Sequence, residues 1–189
     1  MSNCDMTSTQ FHIEFNEKKT INAVLFIVNR IQRTDFHKIF KILYFSDRDH
    51  MATYGRGITG DNYCAMVDGP VPSKLYDIFK SVRGDGYFKD DGKFSAYFSI
   101  ENWDLVKPKT DANLKALSKS DIDFLTANIQ KYGEMAFEEI REISHDYAWQ
   151  NTAPNHIISY DNIISETGED ASFIAFAKEQ SFISSLIKK

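Results

Sequence analysis

Residues 34–55 read TDFHKIFKILYFSDRDHMATYG, and residues 56–73 continue RGITGDNYCAMVDGPVPS. In the first block Phe36, Ile39, Phe40, Leu43 and Met51 recur at helical spacing, so it predicts a long amphipathic helix. Thr34 is placed to cap its start and Gly55 to end it. The second block gathers Gly57, Gly60, Gly69, Pro70 and Pro72, which is turn and loop chemistry, with a short strand at 63–67. The two prolines fix φ and remove two donors, Gly69 permits a tight turn, and Ser73 is placed to cap the next helix. A long helix thus runs into a rigid loop-to-helix corner.

Working outward, Phe11, Ile13 and Phe15 alternate with His12 and Glu14, which predicts a short strand. Ile21, Val24, Leu25, Val28 and Ile31 put a helix at about 20–31, capped by Thr20. Leu75, Ile78, Phe79 and Val82 predict a third helix, broken by Gly84 and Gly86. Tyr87–Phe88 and 94–100 flank Asp91-Gly92, a hairpin signal. Residues 103–106 add a strand stopped by Pro108. Ser118 with Asp121 opens a helix that Gly133 closes. A further helix runs from about Ala136 to Trp149, and Ser159 and Asp170 cap two more. No βαβαβ alternation appears. The expected class is α+β: a mostly helical single domain with a small antiparallel β-sheet or hairpin.

At 189 residues the chain is long enough for one domain with a real core. Hydrophobic residues at 42% and charged residues at 26% exclude disorder as the main state. Twenty-two basic against 27 acidic residues give a net charge of -5, which argues against broad nucleic-acid binding. Two cysteines, Cys4 and Cys64, cannot build a disulfide framework and suit a reducing compartment. No apolar run approaches a membrane span and no signal peptide is evident, so a cytoplasmic protein is expected. Fifteen Phe, nine Tyr and two Trp make 14% of the chain, enough for an aromatic core or an exposed binding patch.

Catalytic motifs fail their context tests. Gly55-Arg-Gly-Ile-Thr-Gly60 matches G-x-G-x-x-G, but a helix precedes it and Asp61 follows, against the strand-then-helix setting of a dinucleotide site. Asp47, Asp49, Asp61 and Asp68 cluster in sequence, yet Asp47 and Asp49 are two apart on a helix and do not face each other. The five histidines make no i, i+4 pair and no zinc pattern. His145 and Trp149 share a helix face, with no nucleophile placed beside them. No cofactor or metal is expected.

The ordered block Leu43-Tyr-Phe-Ser-Asp-Arg-Asp-His50, Tyr54-Gly-Arg-Gly-Ile-Thr-Gly-Asp61, Tyr63, Ala65-Met66, Gly69-Pro-Val-Pro-Ser73 and Leu75-Tyr-Asp77 continues with Leu117-Ser118, Tyr132-Gly133, Ser144-His145 and Trp149. It resembles the Panacea domain, the SocA-like antitoxin family of bacteria and phages, over roughly residues 20–150. One departure is Gly57, where the family pattern has Pro. The resemblance implies a non-enzymatic antitoxin that neutralises a cognate toxin, encoded next door, by direct protein–protein contact. One founding member of the family instead delivers its toxin to a protease, so a host protease is a second expected partner.

The expected organisation is an arm or strand at 1–19, a core at 20–150 and a helical extension at 151–189. Asp47, Arg48, Gly55, Gly60, Asp61, Gly69, Pro70, Pro72, His145 and Trp149 are read as framework, with Asp47 or Asp61 pairing Arg48 or Arg56 to pin the 55–61 loop. The expected Tyr87–Tyr97 hairpin, with Tyr87, Phe88 and Tyr97 on it and Arg83 just before it, and the aromatic 166–189 segment are the candidate toxin-binding surfaces. The competing reading is a metal-dependent hydrolase or nuclease on Asp47, Asp49, Asp61 and His145. An adaptor to a protease and a DNA-binding autoregulator are the others, and no recognition helix is evident for the last.

Overall fold

The computed structural model describes residues 10–187; Cys4 and the first half of the expected N-terminal arm lie outside them. Helix α1 (Glu17–Val28) leads to α2 (Phe36–Tyr54), the β1–β2 hairpin (Tyr63–Met66 and Gly69–Pro72) and α3 (Ser73–Arg83). A second hairpin, β3–β4 (Phe98–Glu101 and Leu105–Pro108), precedes α4 (Lys119–Tyr132) and α5 (Phe137–Ser144). Helices α6 (Tyr147–Gln150), α7 (Tyr160–Ser165) and α8 (Ala171–Ile187) complete the described chain. The class is α+β and mostly helical, as the sequence reading expects.

Helix α2 is the axis of the fold. It packs on α1, α4, α5, α7 and β2. Its apolar stripe is wider than the sequence spacing suggests, because Ile42, Tyr44 and Phe45 are buried with Ile39, Phe40 and Leu43. A helix enclosed on all sides must also bury polar residues, and Lys38, Lys41, Asp47 and His50 are all inside. Each therefore needs a partner.

Local signals fared unevenly. Gly55 and Gly84 end α2 and α3 in the left-handed conformation. Ser118 and Asp121 form the expected capping box. Ser159 caps α7, and Asp170 accepts from the amides of Ser172 and Phe173 to start α8. The cap of α2 is Asp35 rather than Thr34, its carboxylate accepting from Lys38 N at 3.0 Å. Asn16, not Thr20, caps α1, which starts at Glu17. Ser73 is the first helical residue of α3 and makes no side-chain cap.

Residues 11–15 form no β-ladder. Their period of two is nevertheless real: Phe11, Ile13 and Phe15 pack against the core while His12 and Glu14 face outward. The expected hairpin around Asp91-Gly92 is absent. Asp90 accepts from the amides of Phe94 and Ser95 and folds the segment into compact turns. The hairpin sits one step later, with Phe98 opposite Pro108 and Glu101 opposite Leu105. The helix expected over 136–149 breaks at His145, where Asp146 turns its carboxylate to cap α6 through Trp149 N. The described part of the 166–189 segment is docked through α8, with Lys188 and Lys189 outside the described residues: Ala177 lies against Gly55, Phe173 and Ile174 pack on the core, and Ser181 Oγ accepts from His12 N.

Candidate functional site

Asp47, Gly55, Gly60 and Asp61 gather at the C-terminal end of α2 and the loop that follows it, while Gly69, Pro70, Pro72, His145 and Trp149 meet at the β1–β2 corner beside Lys41 and Ser144. Asp47 projects from α2 into residues 57–63. Its Oδ1 accepts from Ile58 N at 2.5 Å and Thr59 N at 3.0 Å, and its Oδ2 from the hydroxyls of Thr59 and Tyr63 at 2.5 and 2.7 Å. Four donors hold one buried carboxylate, and burial still pushes its pKa above the usual range. The expectation that a carboxylate pins this loop holds; the arginine pairing does not. Arg48 pairs instead with Asp49 and Asp146, and Arg56 reaches Asp121.

Asp61 performs a second fixing role. Its two oxygens accept from Lys74 N and Leu75 N, each at 2.9 Å, so it caps α3 from 13 residues upstream. Thr59 Oγ1 accepts from Asp61 N and links the two carboxylates' networks. Desolvation raises Asp61 to about 6. Tyr160 on α7 donates to the Asp61 carbonyl and Asn62 Oδ1, tying the C-terminal helices to the same corner.

The β1–β2 corner is sealed by Lys41. Its buried ammonium donates to Pro70 O at 3.0 Å, and desolvation lowers its pKa to about 7. Gly69 has φ +95°, and a Cβ there would collide with Ser144 Oγ and crowd Lys41 Nζ. Gly60 has φ +66°, and its Cβ would strike the Glu14 carbonyl. Pro70 and Pro72 stand in β2, in register with Ala65 and Tyr63. Trp149 Nε1 donates to Met66 O at 2.9 Å, and His145 stacks on that indole at 3.8 Å between centroids.

The rest of α2 is held in the same way. Lys38 Nζ donates to the carbonyls of Tyr132 and Met135 at the end of α4. Tyr44 OH donates to Asp146, the cap of α6. His50 Nδ1 lies 2.7 Å from Arg56 O and so carries the proton, leaving Nε2 to accept from Ser120 Oγ at 3.0 Å.

Asp47 and Asp61 do line one cavity, together with Tyr44, Arg48, Tyr63 and Tyr160, but its volume is about 10 Å³. That is room for a single water at most. Asp49 points away, to Arg48 and Asn128, and His145 stacks on Trp149 outside the lining of that cavity. The four residues of the competing hydrolase reading do not form one centre. No group of three His, Cys, Asp or Glu side chains placed to hold a metal occurs among the described residues.

Residues 39–150 match the model of the family described as antitoxin SocA-like, Panacea domain. The chain belongs to this family. No curated protein and no solved structure matches it. The matched span runs from inside α2 to the end of α6, so it contains Asp47, Asp61, the β1–β2 hairpin, His145 and Trp149. No described helix is long and apolar enough to cross a membrane.

Tyr87, Phe88 and Tyr97 do not share the expected hairpin, and Arg83 is the last residue of α3. Tyr87 is 91% exposed beside Lys80 on α3, and Arg83 lies under Trp103. Phe88 meets Phe94 edge-on, and Tyr97 faces α1 next to Lys18 and Ile21. Sequence reading missed Trp103, placing it in a strand. It sits instead at the β3–β4 turn, 69% exposed. The polar run Glu101-Asn102 before it and Asp104 after it was the available turn signal.

Proposed function

We propose that this Panacea-domain chain is an antitoxin that neutralises a cognate toxin, encoded by the adjacent gene, by direct protein–protein contact in the cytoplasm. The observation that carries this reading is the use of the family-motif residues. Asp47, Asp61, Tyr44 and Trp149 direct their polar atoms at backbone groups or at caps inside the chain. Motif residues occupied in this way build a scaffold, and an antitoxin needs a scaffold plus a docking surface rather than an acid, base and nucleophile in mutual reach.

Co-expression with the neighbouring gene in a bacterial growth assay, followed by affinity pull-down, tests this. Growth arrest by the neighbour, rescue by this chain and co-purification of the two are expected. Rescue in which the neighbour disappears, and reappears on deletion of a host protease, would replace direct neutralisation by proteolytic delivery. A harmless neighbour that does not bind would overturn the reading.

A further inference from the structure

The outer face of α3 and the β3–β4 tip carry a row of alternating rings and cations. The Arg83 guanidinium lies 4.0 Å from the Trp103 ring centroid and 5.5 Å from that of Phe36, and it donates to the Trp103 carbonyl at 2.7 Å. One turn earlier on the same helix face, Lys80 Nζ is 4.7 Å from both the Tyr76 and Tyr87 rings. Trp103 and Tyr87 thus stand at the two ends of one row, each propped by a cation and each largely in solvent.

The tip is held in a costly conformation. Asn102 has φ +46° and Trp103 has φ +77°. Asparagine tolerates the left-handed region, but a bulky ring there is an outlier. Nothing in the core requires that ring, since it faces water. Strain retained at an exposed, propped aromatic is the pattern of a pre-positioned contact.

The charge balance of the row says what kind of partner it suits. Arg83 is held by both oxygens of Asp85 at 2.8 and 2.7 Å, and Lys80 by Asp77 at 2.7 Å. Both cations are already neutralised. A nucleic acid would need free cations to displace its counterions. Exposed Trp and Tyr anchors beside a paired Arg instead fit an uncharged recess on a protein. We propose that Trp103 and Tyr87 are the anchors by which this chain grips an apolar recess of its toxin, in a contact of weak salt dependence. This rests on the antitoxin reading and adds to it the surface and the chemistry of the partner.

The test titrates the purified full chain against the neighbouring gene's product, with thermal melting run alongside. Wild-type affinity should change less than about threefold between about 50 and about 200 mM salt, against the 1000-fold or greater loss of a many-phosphate contact. Tyr87→Ala combined with Trp103→Gly should weaken binding by about 30-fold or more with melting retained. Tyr87→Ala alone removes a ring that is 91% exposed and touches no core residue, and should still cost about tenfold.

Unchanged affinity in the folded double variant would overturn the docking surface while leaving the antitoxin reading intact. So would a steep salt dependence or displacement of the partner by a 20-nucleotide single-stranded oligonucleotide, where about 20 is chosen to exceed an ordinary site size. If the chain alone sediments as a dimer that the double variant dissolves, the surface serves a second copy and the proposal fails. If the wild type neither binds nor rescues, the antitoxin reading itself falls.

Discussion

The end of α2 and the outer face of α3 use polar and aromatic residues in opposite ways. Around α2, buried Asp47, Asp61, Lys41 and Lys38 each satisfy backbone groups of a distant segment, so charge is used to fix chain geometry. Along α3, Arg83 and Lys80 are paired at the surface and prop rings that face water. Removing a buried carboxylate leaves donors stranded in the interior, whereas removing an exposed ring strands nothing. The contrast separates residues that hold the Panacea-domain fold from residues free to meet a partner.

The largest break should come at Asp47. Asp47→Ala leaves two amides and two hydroxyls without their acceptor and should cost roughly 3–5 kcal/mol, read as a fall in Tm of about 10 °C. Unchanged melting would mean that water or another acceptor replaces the carboxylate and that the loop is not pinned by it.

Lys41 gives the next effect, and its sign is set by pKa. The unfolded chain keeps this proton up to its ordinary 10.5, the folded chain only up to about 7. Between those values the unfolded state binds more protons, so stability rises with pH. By about pH 9.5 the gain should approach about 3 kcal/mol relative to neutral pH. In Lys41→Met this rise should vanish, and parallel pH–stability curves for the two proteins would contradict the buried-ammonium picture.

Asp61→Ala should cost less, about 1–2 kcal/mol for a lost helix cap. Hydrogen exchange sharpens that prediction, because the amides of Lys74 and Leu75 should lose protection before the rest of α3. Uniform loss across the helix would argue against a capping role.

Smallest of all is Trp103→Gly. Relief of the left-handed strain and loss of the cation–ring stack should roughly cancel, within about 1 kcal/mol. A large loss of Tm would show that the ring supports the fold and would move it to the other side of the comparison.

Much of the fold is legible because its signals are local. Gly55, Gly84 and the Ser118–Asp121 box each act within one turn of chain, and the structure keeps them. The glycine-proline corner is legible for the same reason. What was not legible depends on distance. Asp61 caps a helix at amides 13 and 14 residues away and Lys38 closes one 94 residues away, and no spacing rule connects them. The misplaced hairpin shows a local signal losing to a stronger neighbour: Asp91-Gly92 suits a hairpin turn, but Asp90 captures two amides first. Of the candidate docking residues, Tyr87 fell beside Lys80 on α3, the helix that Arg83 ends, and Phe88 and Tyr97 on other surfaces, because the hairpin assumed to unite Tyr87, Phe88 and Tyr97 forms elsewhere.

The most direct measurement pairs Tm with Kd for the neighbouring gene's product on two proteins, Asp47→Ala and the Tyr87→Ala/Trp103→Gly double variant. Binding is read well below the melting temperature of the weaker one. The account predicts a crossed result: Asp47→Ala melts early but binds like wild type, and the double variant melts like wild type but binds about 30-fold more weakly or worse. The reverse result, with binding lost at folded Asp47→Ala and kept in the double variant, would place the partner contact on the α2 corner and contradict the division between scaffold and docking surface.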